Sequence, residues 1–363
     1  MFLFFSKVLE CLLNHDTKIS PTCKHLLFAI KLSELSDSRT DYTLMNTCKG
    51  MLNQYCADID HTKVLKCLAF HKEQSLFDTK CHLVVINRMI LQNMDYRFNP
   101  ELQHDCASSI AEYCSKIIMD NKKENEELNG KVIDCLKAKF REGKLVQKCE
   151  KRMIEVLHDQ ALNYKLNPLL ASVCNHEIRV LCGGTDNNSN QFEVDETIKD
   201  ETSDESGEIE ECLKKQFMAK RIITQECKIE VAQLIQEGKA DIQVDPILLK
   251  SCTVDLLKYC SNVDSGNGRQ LKCLQIILND EPKSKALEDD CKQKLLQRME
   301  MFKNANLIVP KPESFQELYD LTTRSPAKRY FAGVLLFFVG LIFLIGAFSG
   351  RVFSRRTVAL KNK

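Results

Sequence analysis

Residues 245–260 read DPILLKSCTVDLLKYC. Leu248, Cys252, Leu256 and Cys260 stand at intervals of four, the spacing that lines one face of an α-helix. Asp245 offers a short side-chain oxygen at the N-cap, and Pro246 fills the first helical position, where its missing N–H removes no hydrogen bond. The pattern returns as NPELQHDCASSIAEYC at 99–114, NPLLASVCNHEIRVLC at 167–182 and DYTLMNTCKGMLNQYC at 41–56. The last copy keeps the capping Asp41 and has Tyr42 in place of proline. One helix written four times makes this a repeat protein.

The 18 cysteines set its period. The steps 48→56, 106→114, 174→182 and 252→260 are each 8, and the steps 23→48, 81→106, 149→174 and 227→252 are each 25. Every unit carries a third cysteine followed by Leu, as in Cys67-Leu68, Cys135-Leu136, Cys212-Leu213 and Cys273-Leu274. A fourth cysteine comes 14, 14, 15 or 18 residues later and opens another amphipathic stretch. Cys11 and Cys23, 12 apart, form the back half of a further unit. The step from second to third cysteine wanders most, through 11, 21, 30 and 13 residues, which marks a surface loop. With 13 Gly and 8 Pro the chain has about half the usual share of helix breakers. Each unit therefore reads as one long, one short and one long helix.

The expected fold is all-α: tandem disulfide-linked three-helix cysteine-rich repeats forming an elongated array, each touching mainly its neighbours, plus one C-terminal transmembrane helix. The expected divisions are a partial repeat at 1–40, repeats at 41–98, 99–166, 167–244 and 245–306, a stalk at 307–329, a span at 330–349 and a tail at 350–363.

Zinc sites and thioredoxin-like centres use C-x2-C, which occurs nowhere here, so structural disulfides are the expected role. Cysteines eight apart on one helix lie about 12 Å from each other, beyond the ~7 Å a bridge allows. The short helix climbs back to bring the fourth cysteine level with the first. This favours nested pairing among the three connectivities open to each unit: Cys48–Cys81 with Cys56–Cys67, Cys106–Cys149 with Cys114–Cys135, Cys174–Cys227 with Cys182–Cys212, and Cys252–Cys291 with Cys260–Cys273. Cys11 and Cys23 stay unassigned, open to upstream partners or to each other.

Tyr330 to Ser349 is an uncharged stretch of 20 residues, about 30 Å as a helix and so one bilayer core. Arg351, Arg355, Arg356, Lys361 and Lys363 follow without an acid, placing the C-terminus in the cytosol and the cysteines on the lumenal side. Gly346 and Gly350 form a G-x-x-x-G suited to weak helix–helix self-association. The apolar run at Met1–Phe5 is cut short by Lys7 and Glu10, so no signal peptide is read there, and the chain reads as the C-terminal part of a longer protein.

Basic and acidic residues number 51 and 50, so no global field exists to hold nucleic acid. Residues 183–211 hold eleven acids and one Lys and read as a solvated acidic insert, with a milder one from Ser115 to Asp134. Asn187-Asn188-Ser189 is the one N-x-[ST] sequon, a glycosylation site if lumenal. G-x-S-x-G, H-E-x-x-H and both nucleotide-binding glycine motifs are absent, so neither an enzyme nor a cofactor is expected.

These C-x7-C pairs, each followed by Cys-Leu and a fourth cysteine, closed by one apolar span and a short basic tail, resemble the cysteine-rich fibroblast growth factor receptor family. The resemblance covers essentially the whole chain. It implies a Golgi-resident, single-pass type I membrane glycoprotein whose lumenal repeats bind fibroblast growth factors or other secreted proteins and modulate growth factor trafficking or secretion. Members carry further repeats behind a signal peptide, so the chain corresponds to the C-terminal portion. A structural lumenal scaffold or an adhesion ligand without soluble growth factor binding is the second reading.

Overall fold

A computed structural model describes residues 20–120, 127–128, 130–183, 206–280 and 287–308, with the single positions 333, 337 and 340. The chain divides into two compact units, Met1–Ile308 and Val309–Lys363. In the first, α1 (Pro21–Ser36) precedes four disulfide modules. Module 1 contains α2 (Tyr42–Thr47), α3 (Lys49–Tyr55), α4 (Val64–His71) and α5 (Thr79–Met94). Module 2 contains α6 (Pro100–Asp105), α7 (Ala107–Ser109), a π-helical turn Ile110–Cys114, α8 (Ser115–Asp120), α9 (Lys131–Arg141) and α10 (Gln147–Leu162). Module 3 contains α11 (Pro168–Val173), α12 (Asn175–Cys182), α13 (Glu208–Met218) and α14 (Gln225–Ala240). Module 4 contains α15 (Pro246–Tyr259), α16 (Arg269–Asn279) and α17 (Asp289–Ala305). No strand occurs among the described residues.

The first helix of each module starts on its capping side chain. Asp41, Asn99, Asn167 and Asp245 accept the amide N–H of Leu44, Leu102, Leu170 and Leu248 at 3.0, 3.0, 3.2 and 3.1 Å. The single long helix expected from the four-residue spacing is unbroken only in module 4. At Cys48, Cys106 and Cys174 the backbone turns to φ near −89°, −101° and −102° with ψ close to zero. Main-chain bonding continues through the bend: Cys48 donates to Leu44 at 2.9 Å and accepts from Leu52 at 2.8 Å. The element is kinked rather than stopped.

Eight disulfides join first to fourth and second to third cysteines: Cys48–Cys81, Cys56–Cys67, Cys106–Cys149, Cys114–Cys135, Cys174–Cys227, Cys182–Cys212, Cys252–Cys291 and Cys260–Cys273. The outer bridges hold Cα atoms 4.5–4.8 Å apart, far closer than the ~8–10 Å between packed helix axes, and they cross each module's core. All eight outer cysteines are fully buried. So are Leu68, Leu136, Leu213 and Leu274, which explains the leucine after every third cysteine: each contributes about 1.5–3 kcal/mol of burial. Modules 1 and 2 each have their own core, while modules 3 and 4 share one that runs from Tyr164 to Ala305.

Four expectations need correction. Units touch beyond their neighbours: Lys31 of α1 pairs with Glu127 of module 2 at 2.5 Å, and Asn267 of module 4 donates its amide to Glu150 of module 2 at 3.1 Å. The loops between second and third cysteines reach back past the adjacent unit. The acidic insert does not stay solvated to its end, because Glu208–Glu211 form the first turn of α13 and Glu210 and Glu211 are buried. The milder insert is helical at Ser115–Asp120 and again from Lys131. Ile308, read as stalk, packs against the core shared by modules 3 and 4.

Candidate functional site

The recurrent constellation is the joint between modules. After each long helix the chain turns through one 3₁₀ turn before the next first helix begins: Ser38–Thr40, Tyr96–Phe98, Tyr164–Leu166 and Ile242–Val244. Each turn lies between two polar caps, Asp37/Asp41, Asp95/Asn99, Asn163/Asn167 and Asp241/Asp245. The first of each pair accepts the amide N–H two residues on, from Arg39, Arg97, Lys165 and Gln243 at 2.8–3.0 Å. The second caps the following helix. Two side chains thus satisfy the orphan amides that so short a connection leaves.

In the last three turns the final residue plugs the unit before the one that the turn follows. Phe98 packs with Phe28 and Leu35 of α1, Leu166 enters the core of module 1, and Val244 enters that of module 2. Arg97 adds a cation–π contact, its guanidinium 4.4 Å from the centre of the Phe28 ring. A glycine completes the joint from the following module. Gly130, Gly207 and Gly268 donate their amides to the carbonyls of Met94, Leu162 and Ala240, the residues just before the first cap. All three adopt φ between +65° and +75°, where a side chain is strained.

Charge is concentrated behind the caps. Arg88 donates from Nε to the buried Asp41 at 2.6 Å, and Arg298 does the same to Asp245 at 2.6 Å. Arg298, only 1% exposed, also bonds Glu211, while Lys214 pairs with Glu210 at 2.6 Å and with Asp245 at 3.6 Å. Burial alone would raise the Asp245 carboxyl, but Lys214 and Arg298 reverse this and hold it far below the usual range. Burial raises Glu210, and its Lys214 partner only partly offsets that. A groove of about 330 Å³ opens between modules 2, 3 and 4, lined by Arg141, Gly143, Gln236, Lys239, Asn267 and Asn306.

Sequence reading found the second cap of each joint and missed the first cap and the glycine. Both had a signal. The first cap always stands fourteen residues after the fourth cysteine (23 to 37, 81 to 95, 149 to 163, 227 to 241), and the glycine five before the third (130 to 135, 207 to 212, 268 to 273). At the end of the array the cap position holds Ala305, which is buried.

Cys23 has no disulfide partner among the described residues. Cys11, Asn187, Gly346, Gly350, Arg351, Arg355, Arg356, Lys361 and Lys363 lie outside those residues, as does Tyr330 to Ser349 except for positions 333, 337 and 340. Among the described residues no helix is long and apolar enough to cross a membrane, and no cluster of His, Cys, Asp or Glu is arranged to hold a metal ion.

The sequence profile of the cysteine-rich repeat matches residues 21–75, 79–144, 147–221 and 225–282, more than half of the chain. The chain belongs to the cysteine-rich repeat family. Each matched stretch begins on the first residue of α1, α5, α10 or α14, so the family's unit runs across a joint and not from bridge to bridge. The chain is similar to Golgi apparatus protein 1 of Gallus gallus, 35% identical over 358 residues, which cover 99% of this chain and 30% of the relative. Golgi apparatus protein 1 of Homo sapiens is likewise 35% identical over 99% of the chain and 29% of its own length. A Golgi apparatus protein 1 homolog of Caenorhabditis elegans is 28% identical over 99% of the chain and 31% of its own length. The chain thus spans about 30% of the length of the curated relatives it matches. No solved structure gives a significant match.

Proposed function

We propose that the chain is the membrane-proximal portion of a Golgi type I membrane glycoprotein whose lumenal modules bind fibroblast growth factors or other secreted proteins and modulate their trafficking or secretion. The observation that carries this reading is membership of the cysteine-rich repeat family, together with relatives named for the Golgi apparatus. Eight disulfides suit an oxidising lumen. Tyr330 to Ser349 is the anchor in this reading, Asn187 a lumenal glycan site, and the tail from Arg351 to Lys363 the cytosolic end. The family matched is a repeat family and not an enzyme family, which favours a binding role.

Capture tests it. The full chain, immobilised in mild detergent, is expected to retain fibroblast growth factors from solution across several salt concentrations. Retention of Golgi proteins without capture of any growth factor would overturn it in favour of a lumenal scaffold.

A further inference from the structure

The contact between α9 of module 2 and α14 of module 3 gathers three carboxyls, Asp134, Glu230 and Glu237, against two cations, Lys137 and Arg141. On α14, Glu230 and Glu237 are 5% and 2% exposed, and on α9 Lys137 is 3% exposed. Arg141 donates to one oxygen of Glu237 at 2.7 Å, and the other oxygen is buried with no donor. Lys137 stands 4.0 Å from Asp134 and its buried ammonium makes no hydrogen bond. Glu230 has no cation within 4.0 Å among the described residues. It accepts one hydrogen bond, from the Asn167 side-chain amide at 3.3 Å, and the oxygen of that same amide caps α11 through Leu170 at 3.2 Å.

Three carboxyls thus face two cations, with Asp134 at the partly exposed edge and Glu230 and Glu237 buried, and the one without a cation is hydrogen-bonded to the joint's cap. The other elements against α14 do not cancel the excess. α13 brings Glu210, Glu211 and Lys214, and α17 brings Arg298, which is engaged by Asp245 and Glu211. Asp241 and Asp245 flank the turn Ile242–Val244, and neither that turn nor α11 carries a charge. On α14 itself Glu226 and Lys239 are exposed and Lys228 is half-buried.

We propose that Glu230 is a proton-binding site that couples the joint between modules 2 and 3 to pH: a proton on its carboxyl closes the interface, and loss of that proton as the solution becomes less acidic loosens α9 from α14. Taking a bare carboxylate out of water is costly without a cation, whereas the protonated form is neutral and keeps its bond to Asn167. Burial raises Glu230 to about 7, with Lys137 opposing and Glu237 and Asp134 adding to the rise. The groove lined by Arg141 opens at the edge of the network.

The sign follows from linkage. A carboxyl raised in the closed state keeps a proton that the open state releases. Its stabilisation is complete below the ordinary value of 4.5 and is lost as pH rises to about 7. Hydrogen exchange on the full chain, with intrinsic rates divided out, reads the opening of α9 and α14, and amides of module 1 serve as the reference. Opening is expected to increase by about tenfold per pH unit between roughly pH 5.5 and 6.5 and to level off above about 7. Glu230→Gln is expected to remove that slope, and Lys137→Met to move the plateau to higher pH. A flat wild-type profile, or the same slope in Glu230→Gln, overturns the proposal. Should Glu230→Gln fail to fold, an unmoved plateau in Lys137→Met overturns it equally.

Discussion

Asp41 and Asp245 cap their helices as carboxylates, and each has an arginine seven residues after the module's fourth cysteine, Arg88 and Arg298. Where the cap is the neutral Asn99 or Asn167, that place is taken by the buried apolar Val156 or Leu234. A buried carboxylate needs its counter-charge, and an amide does not. Arg88→Val alone is therefore expected to cost about 3–5 kcal/mol, because it strands Asp41, whereas Arg88→Val with Asp41→Asn rebuilds the arrangement of module 2 and is expected to cost below about 1.5 kcal/mol. Denaturant unfolding of the two variants checks this, and equal losses would remove the pairing argument. The glycines give a second ranking. A Cβ on Gly207 or Gly268 would lie 3.0 Å from the backbone oxygen of Ala161 or Lys239, while on Gly130 the nearest atom is 3.7 Å away. Gly130→Ala is expected to cost about 1 kcal/mol, the left-handed backbone alone, and Gly207→Ala and Gly268→Ala about 2 kcal/mol or more, read as a drop in melting temperature. Residue-scale function was the least legible part of the sequence. Asp95 or Asn163 reads as any turn residue until its constant distance from a cysteine is noticed, and Glu230 looks like one more surface acid of an amphipathic helix.

Among elements, the helices were legible because cysteine and leucine at four-residue intervals admit little else, and the Asp/Asn caps with their prolines mark where they start. The bends at Cys48, Cys106 and Cys174 were not, since period alone does not distinguish a kinked helix from a straight one. The burial of Glu210 and Glu211 was hidden too, because composition reads an acidic run as solvated until Lys214 and Arg298 are seen opposite it. The bridges predict an order of their own. Cys56–Cys67 closes 11 residues and Cys174–Cys227 closes 53. Restriction of the unfolded chain assigns them about 3 and about 4 kcal/mol, so replacing the second pair by alanine should destabilise by about 1 kcal/mol more than replacing the first. Chemical denaturation of the two double variants measures the difference, and a reversed order would assign the effect to core packing.

For the whole molecule, two carboxyls bend the pH profile in opposite directions. Asp245, held low, contributes stability that is present above its ordinary value and lost as strong acid protonates it. Glu230, held high, contributes stability that fades toward neutrality. Melting temperature scanned from about pH 3 to about pH 8 should therefore peak in mild acid, and a peak above neutrality would contradict this assignment. The proposed span predicts an address: at 20 residues it suits the thinner membranes of the early secretory route. Tyr330 to Lys363 fused to a lumenal reporter should stay in the Golgi and move to the cell surface once four or five leucines are added to the span. An unchanged distribution would move the address to the tail or the modules. One further consequence lies in the joints. From each fourth cysteine to the next first cysteine the chain counts 25 residues without exception, while the neighbouring loop swells from 11 to 30. Deleting one residue from that fixed interval would turn everything after it by about 100° and pull cap, plug and glycine out of step together. The loop can lengthen without turning anything. Length is therefore grafted outside the fixed interval, as side branches, and the trunk of the molecule is inherited as a gear train, in which a lost tooth anywhere is felt by every wheel downstream.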